Sequence, residues 1–191
     1  MNNLGESIVA IICEGNSEKY YINILLENDL LIINKEDILT EAVLPVKYKK
    51  ANIFQEHFLT MTHEKPISIF LIQDSDVEMK AIKEPYRSKV CGTYFFITSP
   101  EIEMLMVHHF NMYDDFIKVK SKKKPCEFLA GKLKVTTSKL KSKQFIEATF
   151  CNPQNLVEAI KKYSEKSPYK NRKNKKNRYQ LIDLIKKNDQ I

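Results

Sequence analysis

Two nearly continuous apolar runs constrain this chain more than any other feature. Ile8-Val9-Ala10-Ile11-Ile12 and Ile67-Ser68-Ile69-Phe70-Leu71-Ile72 lack the alternation of a strand with one wet face. Runs of this kind are strands of a parallel sheet covered on both sides. Each run ends in acids: Cys13-Glu14-Gly15-Asn16-Ser17-Glu18 follows the first, and Asp74-Ser75-Asp76 follows the second. Parallel sheets place their ligand sites outside the carboxyl ends of the strands. Glu14, Glu18, Asp74 and Asp76 are therefore expected at one sheet edge. Crowded carboxylates raise each other's pKa unless a cation lies between them. Hard oxygen donors select Mg²⁺ or Mn²⁺ over zinc.

The rest of the pattern places helices between the strands. Asn16 or Ser17 can cap a helix over 18–31, with Glu18 in its first turn near the positive end of the helix. A short strand is expected at 42–46, a helix at 52–63, strands at 67–73 and 93–98, and a helix over 101–110 opened by Pro100. This alternation predicts an α/β, doubly wound, mainly parallel sheet. Beyond residue 111 no strand signal is strong. Helices are expected at 125–133, 139–150 and 154–163, the last with Asn152 as cap and Pro153 in its first position. Residues 164–177 read as a basic loop and 178–187 as a final helix. The expected division is a metal-binding domain over 1–115 and a basic helical extension over 116–191, packed on it.

Charge follows the same division. Residues 1–115 carry 10 Lys/Arg against 18 Asp/Glu, a balance of −8; residues 116–191 carry 21 against 6, a balance of +15. An acidic half joined to a basic half points to metal chemistry beside a polyanion. The alternative is a lysine-rich surface that is merely solvated. Candidate phosphate contacts are Lys139, Lys141, Lys143, Arg172, Lys173, Lys175, Lys176 and Arg178. Tyr169 and Tyr179 flank the densest basic stretch and are placed to stack on bases. Cys13, Cys91, Cys126 and Cys151 form no Cys-x-x-Cys pair, so buried free thiols in a reducing cytoplasm are expected. No apolar run approaches the ~20 residues that cross a bilayer, and the first residues lack a signal pattern.

The spacing of these motifs resembles the Toprim domain, shared by bacterial-type topoisomerases, primases, a small ribosomal-RNA maturase and OLD-family nucleases. Glu14-Gly15 after one strand matches that family's glutamate, and Asp74-x-Asp76 after a later strand matches its paired aspartates. Glu14-x-x-x-Glu18 is similar to the OLD and RloB-like branch. Ser99-Pro100-Glu101-Ile102-Glu103-Met104-Leu105-Met106-Val107-His108-His109-Phe110 resembles the RloB-like pattern Asn-Pro-x-Phe-Glu-x-Trp-x-x-x-His-Phe at Pro100, Glu103, His109 and Phe110. It departs from that pattern at Ser99, Ile102 and Leu105, and Ser75 stands where RloB-like proteins often carry a basic residue. The motifs cover residues 8–110.

The resemblance implies a Mg²⁺-dependent (or Mn²⁺-dependent) nuclease with Glu14, Asp74, Asp76 and Glu103 as catalytic residues and Glu14, Glu18, Asp74 and Asp76 as metal ligands. It also implies bacterial antiviral defence of the abortive-infection type beside a separately encoded ATPase, since this chain has no Gly-x-x-x-x-Gly-Lys-Ser/Thr motif. A homo-oligomer is compatible with it. From the residues alone, Gly15 permits a tight turn where a side chain would block metal or phosphate. Shared carboxylates suit two-metal phosphodiester cleavage. Glu103 either completes the site or pairs with a lysine, and His109 is a hydrogen-bonded residue beneath the site rather than a base. DNA, RNA and transfer RNA remain open as substrates. The competing readings are a non-catalytic module that binds nucleic acid or a protein, and a receiver-like phosphoacceptor domain, which the order of acids disfavours.

Overall fold

The computed structural model of the protein describes residues 4–75, 77–167 and 177–187. Four parallel strands form one sheet in the order β1 (Ile8–Cys13), β2 (Ile67–Gln73), β3 (Val90–Ile97), β4 (Arg178–Gln180). Between β1 and β2 lie α1 (Asn16–Glu27), short 3-10 turns and α2 (Ala51–Phe54), which continues as a π turn over Gln55–Leu59. Between β3 and β4 lie α3 (Met104–His109), α4 (Tyr113–Ile117), α5 (Pro125–Leu133), α6 (Thr137–Leu140), α7 (Lys143–Thr149) and α8 (Pro153–Lys166). Among the described residues, no helix is long and apolar enough to cross a membrane.

Strands β1 and β2 are mostly apolar on both faces because successive side chains enter two different cores. Val9, Ile11, Cys13, Phe70, Ile72 and Phe96 pack with α1, α3, α5, α7 and α8. Ala10, Ile12, Ile69, Leu71, Phe95 and Ile97 pack against α2 and its π turn on the other face. Helices on both faces make this a doubly wound α/β sheet. The basic helices after residue 113 share the first core with β1 and α1: Leu129, Leu140, Ile146 and Leu156 are fully buried in it.

Several local expectations change. Residues 42–46 do not form a strand. Leu44 makes one bridge to Ile12, its N–H donating to the Ile11 carbonyl at 2.8 Å. Pro45 then has no N–H to continue a ladder, and a 3-10 turn (Val46–Lys49) follows. The helix expected over 139–150 is broken at Ser142, whose side chain accepts the Phe145 N–H at 3.3 Å and starts a new helix there. The final helix expected over 178–187 is instead β4 and a 3-10 turn (Leu181–Leu184). The exposed ladder of β3 outweighs the local helical pattern, and Tyr179 stacks on Phe96 at 5.5 Å. The 101–110 helix is regular only from Met104. The four cysteines are free as expected, but only Cys13 and Cys126 are buried; Cys91 and Cys151 are exposed.

Candidate functional site

The first three strands end level with one another. Glu14 N–H donates to the Ile72 carbonyl and Thr98 N–H to the Gln73 carbonyl, each at 2.9 Å. Glu14 and Asp74 are thus the first residues beyond β1 and β2. A cleft of about 670 Å³ opens there, and Glu14, Glu18, Asp74, Glu101 and Glu103 all line it. These carboxylates come from the β1–α1 turn and the first turn of α1, the end of β2 and the entry to α3. The pattern at residues 99–110 therefore reaches the same cleft as the two acidic clusters.

Glu14 is held from three directions. Lys49 Nζ donates to its Oε1 at 3.0 Å, while the Asp74 N–H and the Ser75 hydroxyl donate to its Oε2 at 3.2 and 3.3 Å. Burial pushes its pKa up, but Lys49 and Asp74 outweigh burial and hold it below the ordinary carboxylate value. Asp74 shifts the other way, raised by desolvation and then by the hydrogen bond and charge of Glu14. Glu18 is also raised, first by burial and then, against the hydrogen bond from its own N–H, by Glu103, Asp74 and Glu14. Glu103 is 4% exposed and meets Lys141 Nζ at 3.0 Å. It both lines the cleft and pairs with a lysine. Burial pulls the Lys141 pKa down, but Glu103 more than offsets this and holds it above the ordinary lysine value.

Gly15 has an ordinary extended backbone, φ −125 and ψ 169, so no special conformation requires glycine there. The requirement is steric: a Cβ at residue 15 would stand 2.5 Å from Glu18 Oε2. Glu18 is the third residue of α1, and its carboxylate folds back over Gly15.

Four residues of the site have no motif to announce them. Lys49 arrives from the 3-10 turn on the opposite face of the sheet. Lys124, at the start of α5, reaches Glu101 at 3.6 Å, and the other Glu101 oxygen, Oε2, is buried without a partner among the described residues. Gln73, 1% exposed, donates to the carbonyls of Ser75 and Val77 at 2.7 and 2.8 Å and shapes the turn after β2. The only available signal was weak: Glu101 stands two residues before Glu103, and Gln73 is a polar residue ending an apolar run.

The expected basic residues are dispersed. Lys141 lines the acidic cleft. Lys143 pairs with Glu147 at 3.5 Å, and Lys139 lies outside the cleft. Arg178 does not line the cleft; its guanidinium lies over Phe95 at 4.0 Å and pairs with Glu78 at 3.0 Å. His109 packs on Phe110 and Phe150 and is absent from the cleft lining. Asp76, Tyr169, Arg172, Lys173, Lys175 and Lys176 lie outside the described residues. Among the described residues, no set of three His, Cys, Asp or Glu side chains is arranged to hold a metal ion as it stands. No family model matches this chain, and no curated protein or solved structure matches it either.

Proposed function

We propose that the protein is a divalent-metal-dependent phosphodiesterase acting on nucleic acid, of the Toprim class that its motifs resemble. The observation that carries this reading is the convergence of five carboxylates from three chain segments on one cleft at the carboxyl ends of parallel strands. The donor chemistry fits a hard cation. Every candidate ligand is an oxygen, and burial with like-charge crowding already raises Glu18 and Asp74. Glu14, Glu18 and Asp74, with Asp76 as the motif implies, would hold Mg²⁺ or Mn²⁺. Bound there, the ion would supply an activated water and stabilise the leaving oxygen.

The chain's own groups have separable tasks. Gly15 leaves the Glu18 carboxylate room to face the cleft. The N–H of Asp74 fixes the orientation of Glu14. Lys141, held as an ammonium by Glu103, offsets negative charge that develops on the phosphate. A role in antiviral defence beside a separately encoded ATPase rests on the RloB-like resemblance.

A second reading has its own support. The ion pairs Lys49–Glu14 and Lys141–Glu103 neutralise two of the carboxylates within the chain, as a non-catalytic module binding nucleic acid or protein would require. Cleavage of plasmid, single-stranded DNA, total RNA and transfer RNA with Mg²⁺ or Mn²⁺ decides between them. Loss of cleavage in Glu14→Ala supports the enzyme, and undiminished cleavage by that variant refutes it.

A further inference from the structure

A second groove, of about 890 Å³, adjoins the acidic cleft and shares Asp74, Glu101 and Lys124 with it as common wall. Its chemistry is opposite in sign. Lys120, Lys122 and Lys123, on the turn between α4 and α5, line it together with Lys166 from the end of α8. None of these four ammonium groups has an ion-pair partner among the described residues. Asp74, Glu101 and Glu127 also line the groove, but five lysines, Lys124 among them, outnumber these three carboxylates, and the net positive field favours an anion.

The groove also has a built floor. Tyr163 OH donates to the Pro100 carbonyl at 2.7 Å and Ser167 Oγ to the Ser99 carbonyl at 3.2 Å, which fixes the end of α8 to the segment entering α3. His108 lines the groove at 4% exposure, its ring stacked on Tyr113 at 4.9 Å and 16°. Its Nε2 is buried without a hydrogen-bond partner among the described residues. A buried polar nitrogen left unpaired carries a desolvation cost that a ligand atom would relieve. Lys166 Nζ stands 5.7 Å from the centre of the Tyr113 ring.

We propose that this groove receives an unpaired nucleic-acid strand, with its phosphates on Lys120, Lys122, Lys123 and Lys166 and a phosphate or base edge at His108, and leads that strand to the acidic cleft. Lysines beside aromatic rings are the usual means of holding single strands. The volume lies in the ~300–1,000 Å³ range of small-ligand pockets, so a duplex can only lie across its mouth. The phosphodiester next to the lysines is carried past Asp74 and Glu101, the wall that both cavities share. This deepens the phosphodiesterase reading by naming its substrate class and rests on that reading for the direction of travel; strand binding does not depend on it.

The test is fluorescence anisotropy in EDTA, so that no cleavage intervenes, with a short labelled single-stranded DNA, the RNA of the same sequence, and a blunt hairpin. The variant changes Lys120, Lys122 and Lys123 to Ala; all three side chains are exposed, so the fold should persist, as circular dichroism would verify. The wild type should prefer single strands. The variant should lose about tenfold in affinity, and its slope of log affinity against log salt should fall by about 2, from ~0.7 per phosphate contact on a single strand. Lys166→Ala should weaken binding in the same direction by less. Equal losses for DNA and RNA mean that the backbone is read, and a larger loss for RNA means that the 2′-hydroxyl contributes. Unchanged affinity and slope in the triple variant, preference for the hairpin, or no strand binding by the wild type overturns the proposal. If strands bind through the lysines but Mg²⁺ and Mn²⁺ support no cutting, the groove stands and the phosphodiesterase reading falls.

Discussion

Lys49 Nζ sits 3.0 Å from Glu14 Oε1, where a cation shared between Glu14 and Asp74 would compete with it. A unit charge at about 4 Å interacts by ~1 kcal/mol in water and ~4 kcal/mol near a protein surface. Lys49→Met should therefore tighten Mn²⁺ binding by about fivefold or more. Titration calorimetry on the two proteins measures this. Weaker binding in the variant would mean that Lys49 positions Glu14 rather than competing for it.

Asp74 is exposed and carries a raised pKa from desolvation and from Glu14. Asp74→Ala removes a crowded negative charge and no packing. Its melting temperature should equal or exceed that of the wild type. Calorimetric Mn²⁺ binding and any cleavage should both be lost. A variant that binds Mn²⁺ like the wild type would remove Asp74 from the ligand set.

Gly15→Ala separates fold from site. The extended backbone accepts alanine without strain, and the atom in the way is the far end of a glutamate side chain. Stability should change by less than about 0.5 kcal/mol in urea denaturation. Divalent affinity should drop because the Glu18 carboxylate must move aside. If urea midpoint and affinity are both unchanged, Glu18 takes no part in the site.

His108 predicts a pH dependence. Burial first, then Lys162 and Lys166, lower its pKa from the ordinary 6.5 to about 4, against a weaker pull upward from Glu165. The folded state thus binds fewer protons than the unfolded state between those values. Its contribution to stability is fully present above pH 6.5 and is lost as pH falls toward 4. His108→Phe keeps a flat ring against Tyr113 and cannot titrate. As pH falls from 7 to 4, the wild type should lose melting temperature relative to the variant. A constant difference would show that the imidazole does not titrate in that interval.

Arg178 belongs to the sheet. Its side chain is 6% exposed, over Phe95 and beside Glu78. Arg178→Lys keeps the charge but loses the planar stack and the fork of donors. About 1–2 kcal/mol of stability should go, by urea denaturation. Strand binding by the groove should not change. Loss of binding without loss of stability would return Arg178 to the nucleic-acid contacts expected from the sequence.

The sequence determined the first two strands and the places of Glu14 and Asp74 just beyond them. A strand covered on both faces is apolar at nearly every residue, so Ile8–Cys13 and Ile67–Gln73 are legible without their neighbours, and a residue just beyond such a strand can only lie at the sheet's edge. Asn152 and Pro153 likewise mark the start of α8 through contacts within one turn. Tertiary structure decided everything that depends on distant partners. The segment at Arg178–Gln180 reads locally as a helix and becomes a strand because β3 offers it an unpaired edge. Lys141 reaches Glu103 because Ser142 ends one helix and starts the next, and Lys49 reaches Glu14 across 35 positions of chain. An ammonium on a flexible stem leaves no periodic trace in a lysine-rich sequence; only the packed chain selects which lysine meets which carboxylate.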